Sequence, residues 1–227
     1  IPADLTECTQ LDAAIDAPPT TTDTMACWLG DAIAIKDPTA FALQSHSGSN
    51  LLVVGQREET ATAEFLAAML AMAAQRPVGT PDESGSLCFY ILDGLPADSP
   101  HAGQLAELGD ALPHAVTSGG HRDTESIMNE LGGLLARRRD DGEDAGAKIV
   151  VMLHGLHRLR DLRRDEDDFS FSTSDDDAPA KPDAILGELL KDGPSHGIHV
   201  LTWIDTLNNL NRTLDRSGQR EVEMRVL

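Results

Sequence analysis

Short, uniformly apolar runs recur along this chain at Leu51–Val54, Leu87–Leu92, Lys148–Leu153 and Ile198–Ile204, and helix-patterned sequence separates them. That alternation limits the fold more than any other feature. Runs of this length with no polar partner every second residue suit strands buried on both faces. Between them, Phe65, Leu66, Met69, Leu70 and Ala73 fall at helical spacing from about Glu59 to Gln75. Ile127, Leu131, Leu134 and Leu135 do the same from Asp123 to Arg139. Strand–helix alternation predicts an α/β fold: a mostly parallel central sheet with helices on both faces.

Weaker elements fill the intervals. Trp28 to Ile35 reads as strand in its apolar second half, Asp37-Pro38 turns the chain, and Phe41 to Gln44 is a second short strand. A helix from about His101 to Gly109, a brief strand near Ala115-Val116, a helix from Ala184 to Lys191, a helix or turn from Thr206 to Arg216 and a strand from Val222 complete the order. Residues 1–30 read as a polar arm, because Pro18-Pro19 and the threonines Thr20 to Thr22 oppose a packed element. Residues 31–227 form the α/β domain. Within it, residues 165–182 are acidic, serine-rich and poor in large aliphatics, which predicts a mobile insertion.

Composition narrows the setting. Hydrophobic residues make up 41% but aromatics only 4%, so aliphatic and alanine packing must build the core. A formal net charge of −20 repels nucleic acid overall, which makes direct DNA contact doubtful. Three widely spaced cysteines, Cys8, Cys27 and Cys88, suit reduced thiols in the cytoplasm. No apolar run reaches membrane-spanning length, and no signal peptide is visible. The chain opens on Ile1 and stops at Leu227 inside a strand-like run, so a truncated piece of a longer protein is expected.

The stretch from Gly48 to Gln75 reads as strand, tight turn at Gly55, then helix, the frame in which phosphate-binding loops sit. Laid on Gly55, the pattern G-x-x-x-x-G-K-[ST] asks for Gly, Lys and Ser or Thr where this chain has Thr60, Ala61 and Thr62. Ala61 cannot supply the cation that meets the outer phosphates. Glu58 and Thr60 carry side chains where backbone amides would have to close on the ligand. Glu58 and Glu59 put carboxylates at the helix start and are expected to occupy the anion position themselves, as caps do. An ordinary βα turn that never bound phosphate explains the same residues.

Three stretches, in order, resemble FtsK/SpoIIIE-type motor ATPases. Ser49-Asn-Leu-Leu-Val-Val-Gly55 resembles the strand into their nucleotide loop. Lys148-Ile-Val-Val-Met-Leu-His-Gly-Leu156 is similar to their acid-tipped strand, and Gly197-Ile-His-Val-Leu-Thr-Trp203 to their Gly-Ile-His strand. Asn208-Asn209-Leu210-Asn211-Arg212 and the lead-in Leu29–Pro38 are similar to degenerate members, including accessory ATPase domains of type VII secretion motors. The resemblance implies a RecA-like P-loop NTPase fold whose intact members hydrolyse ATP to move DNA or protein. It places the degenerate nucleotide site at Gly55, Glu58, Thr60, Ala61, Thr62 and His154. On that mapping His154 stands for the Mg²⁺-holding Asp, Gly155 for the water-polarising Glu, and Ile204 and Asp205 for the sensor pair. Only the Thr62 hydroxyl survives of the family's chemical groups. One electrostatic group of this kind is worth about 3–4 kcal/mol in the transition state, so losing the Lys and both acids predicts no meaningful hydrolysis.

Other signals compete. Gly193-Pro-Ser-His-Gly197 matches the G-x-S-x-G nucleophile elbow, but a helix precedes it and a strand follows, the reverse of what the elbow needs. His154 and His157 with His196 and His199 suggest a metal cluster, yet His154 ends its strand and His199 starts its own, on opposite edges roughly 15 Å apart. No metal is expected. His157 reads as solvent-facing or capping a carbonyl, and His154 as a hydrogen-bonding group at the sheet's functional edge. The basic clusters Arg137–Arg139 and Arg158–Arg164 read as solvated ends, with a DNA or subunit contact as the alternative.

Two functions follow. The first is a catalytically degenerate FtsK/SpoIIIE-like module, structural, regulatory or cargo-binding, working with other domains or subunits of a larger motor and needing no cofactor. The second is a conditionally active ATP- and Mg-dependent DNA-translocase domain completed by neighbouring subunits.

Overall fold

A computed structural model of the protein describes residues 8–30, 39–141, 146–164 and 180–227. In chain order the elements are α1 (Thr9–Asp16), β1 (Met25–Gly30), β2 (Thr39–Leu43), β3 (Leu51–Val54), α2 (Glu58–Gln75), β4 (Leu87–Asp93), α3 (Gln104–Ala111), β5 (Ala115–Gly119) and α4 (Thr124–Asp141). There follow β6 (Lys148–His154), α5 (Pro182–Asp192), β7 (Ile198–Ile204), α6 (Leu207–Thr213), α7 (Arg216–Arg220) and β8 (Met224–Val226).

Six strands form one sheet in the order β5-β4-β6-β7-β3-β8, every neighbouring pair parallel. Alternation along each strand sends residues to two cores. Tyr90, Leu92, Val151, Leu153, Val200 and Ile204 pack under α4 and α5. Phe89, Ile91, Val150, Met152, Leu201 and Trp203 pack under α2, α3 and the β1–β2 pair. Two cores explain why the central strands read as continuous apolar runs: neither face is left to water. The expected α/β architecture with a parallel sheet and helices on both faces is present.

Several elements differ from the sequence reading. The arm read as unpacked contains α1, whose Leu11 is buried with Cys8 against Ala71 of α2. It also contains β1, which pairs antiparallel with β2. Gln75 explains the attachment: its side chain accepts from Ala26 N at 3.0 Å and donates to Ala26 O at 2.6 Å, holding the added strand against the end of α2. The apolar stretch Ala32 to Ile35 lies outside the described residues, as does most of the expected acidic insertion, residues 165–179. Helix α5 starts at Pro182, where the fixed φ of proline suits a first turn. The expected single helix or turn from Thr206 divides into α6 and α7, each N-capped by a side chain: Thr206 for Asn209 N and Asp215 for Gly218 N.

Register decides what meets at the C-terminal edge of the sheet. Asp93 lies opposite His154, His154 opposite Trp203, and Trp203 opposite Val53. Paired residues point to the same face. One row therefore crosses the sheet beneath the start of α2.

Candidate functional site

The first turn of α2 sets the geometry. Only Gly55, Gln56 and Arg57 separate β3 from the helix, so Glu58, Glu59 and Thr60 are already helical. Ala61 N donates to Arg57 O at 3.2 Å, an intrahelical bond that consumes an amide the phosphate pattern would leave open. Gly55 N donates to Ile204 O at 3.0 Å, and Gly55 O accepts from Trp203 Nε1 at 2.8 Å. Both backbone groups of the turn are thus tied to β7. Nothing lies within 4 Å of where a Cβ on Gly55 would stand, so close packing does not require glycine there.

Below this turn His154 is fully buried, its ring centroid 5.4 Å from that of Phe65 and 5.1 Å from that of Trp203. Its Nε2 lies 3.1 Å from Thr62 Oγ1, and its Nδ1 lies 3.1 Å from Asp93 Oδ1. Thr62 Oγ1 also donates to Glu58 O at 2.8 Å. A hydroxyl has one hydrogen. With that hydrogen on Glu58 O, Nε2 must donate to Thr62 while Nδ1 donates to Asp93, so the ring is an imidazolium paired with a carboxylate. With a neutral ring, Nδ1 keeps its hydrogen for Asp93 and the hydroxyl turns to Nε2. Asp93 further accepts from Leu95 N at 3.0 Å and Gly103 N at 2.9 Å. Burial raises the Asp93 pKa, but the bonds from His154 and these amides outweigh it and hold the carboxyl below its ordinary value.

Glu58 does not cap the helix as expected. The N-cap is Arg57, which makes no side-chain capping bond. Glu58 instead turns outward: Oε1 meets Arg158 Nη2 at 2.7 Å and Oε2 accepts from Ser99 Oγ at 2.9 Å. The Arg158 bond lowers the Glu58 pKa. Arg158 thus supplies a cation at this edge, contrary to a site with none.

His157 corrects its expected place as well. It is 8% exposed, its ring set edge-on to Trp203 at 5.4 Å and its Nδ1 3.8 Å from Asp205 Oδ1. Burial lowers its pKa, opposed by the Asp205 charge. In the Arg137–Arg139 cluster Arg137 and Arg139 are exposed, as a solvated end requires, but Arg138 is not. Arg138 is buried and donates to His196 O at 2.8 Å, while Arg139 pairs with Glu188 and Asp192. Ser195 of the G-x-S-x-G match lies in a short turn between α5 and β7, at the opposite edge of the sheet. His199 sits beside Val150, four residues up the strand from the row of His154.

Of the residues singled out from sequence, Gly55, Glu58, Ala61, Thr62 and His154 converge, while Thr60 faces solvent. Asp93, Ser99 and Trp203 complete the cluster and were not singled out as site residues, while His157 and Arg158, singled out in other roles, join it. The hydroxyl–imidazole–carboxylate order of Thr62, His154 and Asp93 has the contacts of a nucleophilic triad. Thr62 is 1% exposed and His154 0%, so no acyl substrate can reach the hydroxyl. The arrangement holds α2 to β4 and β6; it does not present a nucleophile.

Similar folds appear among solved structures. One is Thermomonospora curvata EccC (ATPases 2 and 3) in complex with a signal sequence peptide, with TM-score 0.59 and 16% identity, over 87% of this chain and 35% of that one. Another is the cytoplasmic domain of the Thermomonospora curvata type VII secretion ATPase EccC, with TM-score 0.60 and 16% identity, over 92% of this chain and 25% of that one. The chain has a RecA-like fold. EssC (ATPases 2 and 3) from Geobacillus thermodenitrificans shares this RecA-like fold at TM-score 0.57 and 14% identity, over 92% of this chain and 37% of that one. The RecA-like domain thus spans between a quarter and just over a third of these relatives. No protein-family model and no curated protein sequence matches the chain. None of its described helices is long and apolar enough to cross a membrane.

Proposed function

We propose that this RecA-like domain is a catalytically degenerate module of a larger FtsK/SpoIIIE-like translocation motor, acting in the cytoplasm as a structural, regulatory or cargo-binding part. The observation that carries the reading is His154, a fully buried ring bonded to Thr62 and Asp93; on the mapping the resemblance implies, it replaces the family's Mg²⁺-holding carboxylate. The early start of α2 supports it, since Ala61 N is spent inside the helix. No cofactor is required. A peptide cargo is a reasonable partner, because one EccC relative is bound to a signal sequence peptide. Calorimetric titration with Mg-ATP tests the reading: we expect no binding up to millimolar nucleotide, and micromolar affinity or measurable turnover overturns it.

One observation favours the second reading, a conditionally active ATP-binding domain completed by a neighbouring subunit. Among the described residues Arg158 Nη1 is buried without a hydrogen-bond partner beside the first turn of α2, a cation available to an incoming phosphate. Under this reading wild-type protein mixed with its neighbouring motor domains binds Mg-ATP and Arg158→Gln abolishes that binding. Under the first, nucleotide binding in the mixture is indifferent to Arg158.

A further inference from the structure

A second charged site lies at the N-terminal edge of the sheet, away from the cluster around His154. There a cleft of about 420 Å³ opens between the end of α2, the segment before β4 and the starts of β6 and β7. Arg76 lines it. That side chain is 1% exposed, and its Nη2 donates to the carbonyls of Thr22 and Asp23. Its Nε and Nη1 are buried with no hydrogen-bond partner among the described residues. A guanidinium cannot shed its charge to escape this, so the missing partners cost free energy unless a counter-charge is close. Burial accordingly lowers the Arg76 pKa, with Asp23 opposing.

Asp23 is the only acid among the described lining residues, and it is already committed: Lys148 Nζ lies 2.7 Å from its Oδ1, and Ser45 donates to both carboxylate oxygens. Arg138, 4% exposed, underlies the same wall, its Nη2 2.9 Å from where a Cβ on Gly146 would stand. Among the described lining residues two cations, Arg76 and Lys148, thus face one carboxylate, inside a chain of net charge −20. Gly85, Gly146 and Gly197 all line the cleft with positive φ, at +83°, +103° and +71°.

We propose that this cleft binds a tetrahedral oxyanion of the phosphate class, free or as a small phosphomonoester, whose charge compensates Arg76 and Lys148. The site is independent of the nucleotide edge, so it stands or falls apart from the function proposed above. A multivalent oxyanion is favoured over a carboxylate because it meets both lining cations, Arg76 and Lys148, at once. The volume leaves room for an ester group beyond the phosphate itself.

The test is a calorimetric titration of the protein with inorganic phosphate, glycerol 3-phosphate, sulfate and acetate, at ionic strength held constant with sodium chloride. We expect saturable binding of phosphate and sulfate, with acetate weaker. Whichever of phosphate and glycerol 3-phosphate binds tighter identifies the source, and either result supports the site. Ser84→Glu places a carboxylate at the exposed mouth and should weaken phosphate about tenfold or more. Arg76→Gln should abolish binding. If that variant fails to fold, the surface change Ser84→Glu carries the test alone. The proposal is overturned by absence of saturable phosphate binding, by acetate binding as tightly as phosphate, or by phosphate affinity indifferent to Ser84→Glu.

Discussion

At the scale of single residues, two histidines illustrate opposite solutions to burial. His154 has a partner on each ring nitrogen, whereas among the described residues His199 has Ser49 O for its Nδ1 and none for its buried Nε2. Burial therefore drives the His199 pKa down to about 4. The unfolded chain takes up a proton near its ordinary value of about 6.5 that the native ring refuses. Stability must then fall as pH drops from about 6.5 to about 4, by on the order of 3 kcal/mol. Urea denaturation across that range should show this slope, and His199→Gln should flatten it; an unchanged slope would rule out His199 as its origin. Asp93 acts in the same direction at lower pH. Its depressed pKa contributes stability above the ordinary carboxylate value that is lost only as pH falls through the folded pKa. His154→Ala removes a ring between Phe65 and Trp203 and strands Asp93, so we expect a loss of about 2–4 kcal/mol in the same assay. Glu58→Gln should cost at most about 1 kcal/mol, because the Arg158 pair is partly exposed and screened.

At the scale of elements, Asn50 joins three of them from the residue before β3. Its Nδ2 donates to Leu190 O of α5 at 2.9 Å and Glu221 O after α7 at 2.8 Å, while Oδ1 accepts from Val200 N of β7 at 2.8 Å. Asn50→Ala leaves an amide and two carbonyls without their partner and should cost about 3 kcal/mol, read as a lower denaturation midpoint with unchanged denaturant dependence. The strands and long helices were legible in the sequence because their signal is local. The run Ile198–Ile204 is a strand over those same residues, and α2 and α4 begin within a residue of their expected starts. Helix α1 was illegible, since Leu11 alone anchors it among polar neighbours. Asp93 looked like a strand terminator before Gly94; its role depends on β4 lying next to β6, a non-local fact that no short pattern encodes. His157 lay in a basic segment, and only its approach to Trp203 explains its burial.

At the scale of the whole molecule, charge and topology pull apart. The net charge of −20 puts excess carboxylates on the surface of a fold whose cores are otherwise neutral. Self-repulsion of that kind is screened over about a Debye length, roughly 10 Å at 0.1 M salt. Raising sodium chloride from about 20 to about 300 mM should stabilise the protein by about 1 kcal/mol, a rise in Tm of about 2–4 °C. A fall in Tm would mean that ion pairs such as Arg139 with Glu188 and Asp192 outweigh the repulsion. The tie between the Trp203 indole and Gly55 O has one more consequence. Trp28 and Trp203 are the chain's two indoles, so replacing Trp28 with Phe leaves a single indole, excited selectively at the red edge of the absorption band and wedged between two imidazoles. Anything that prises the turn after β3 away from β7, whether a small molecule or the press of an adjoining domain, must then register as a change in emission colour, with no label attached.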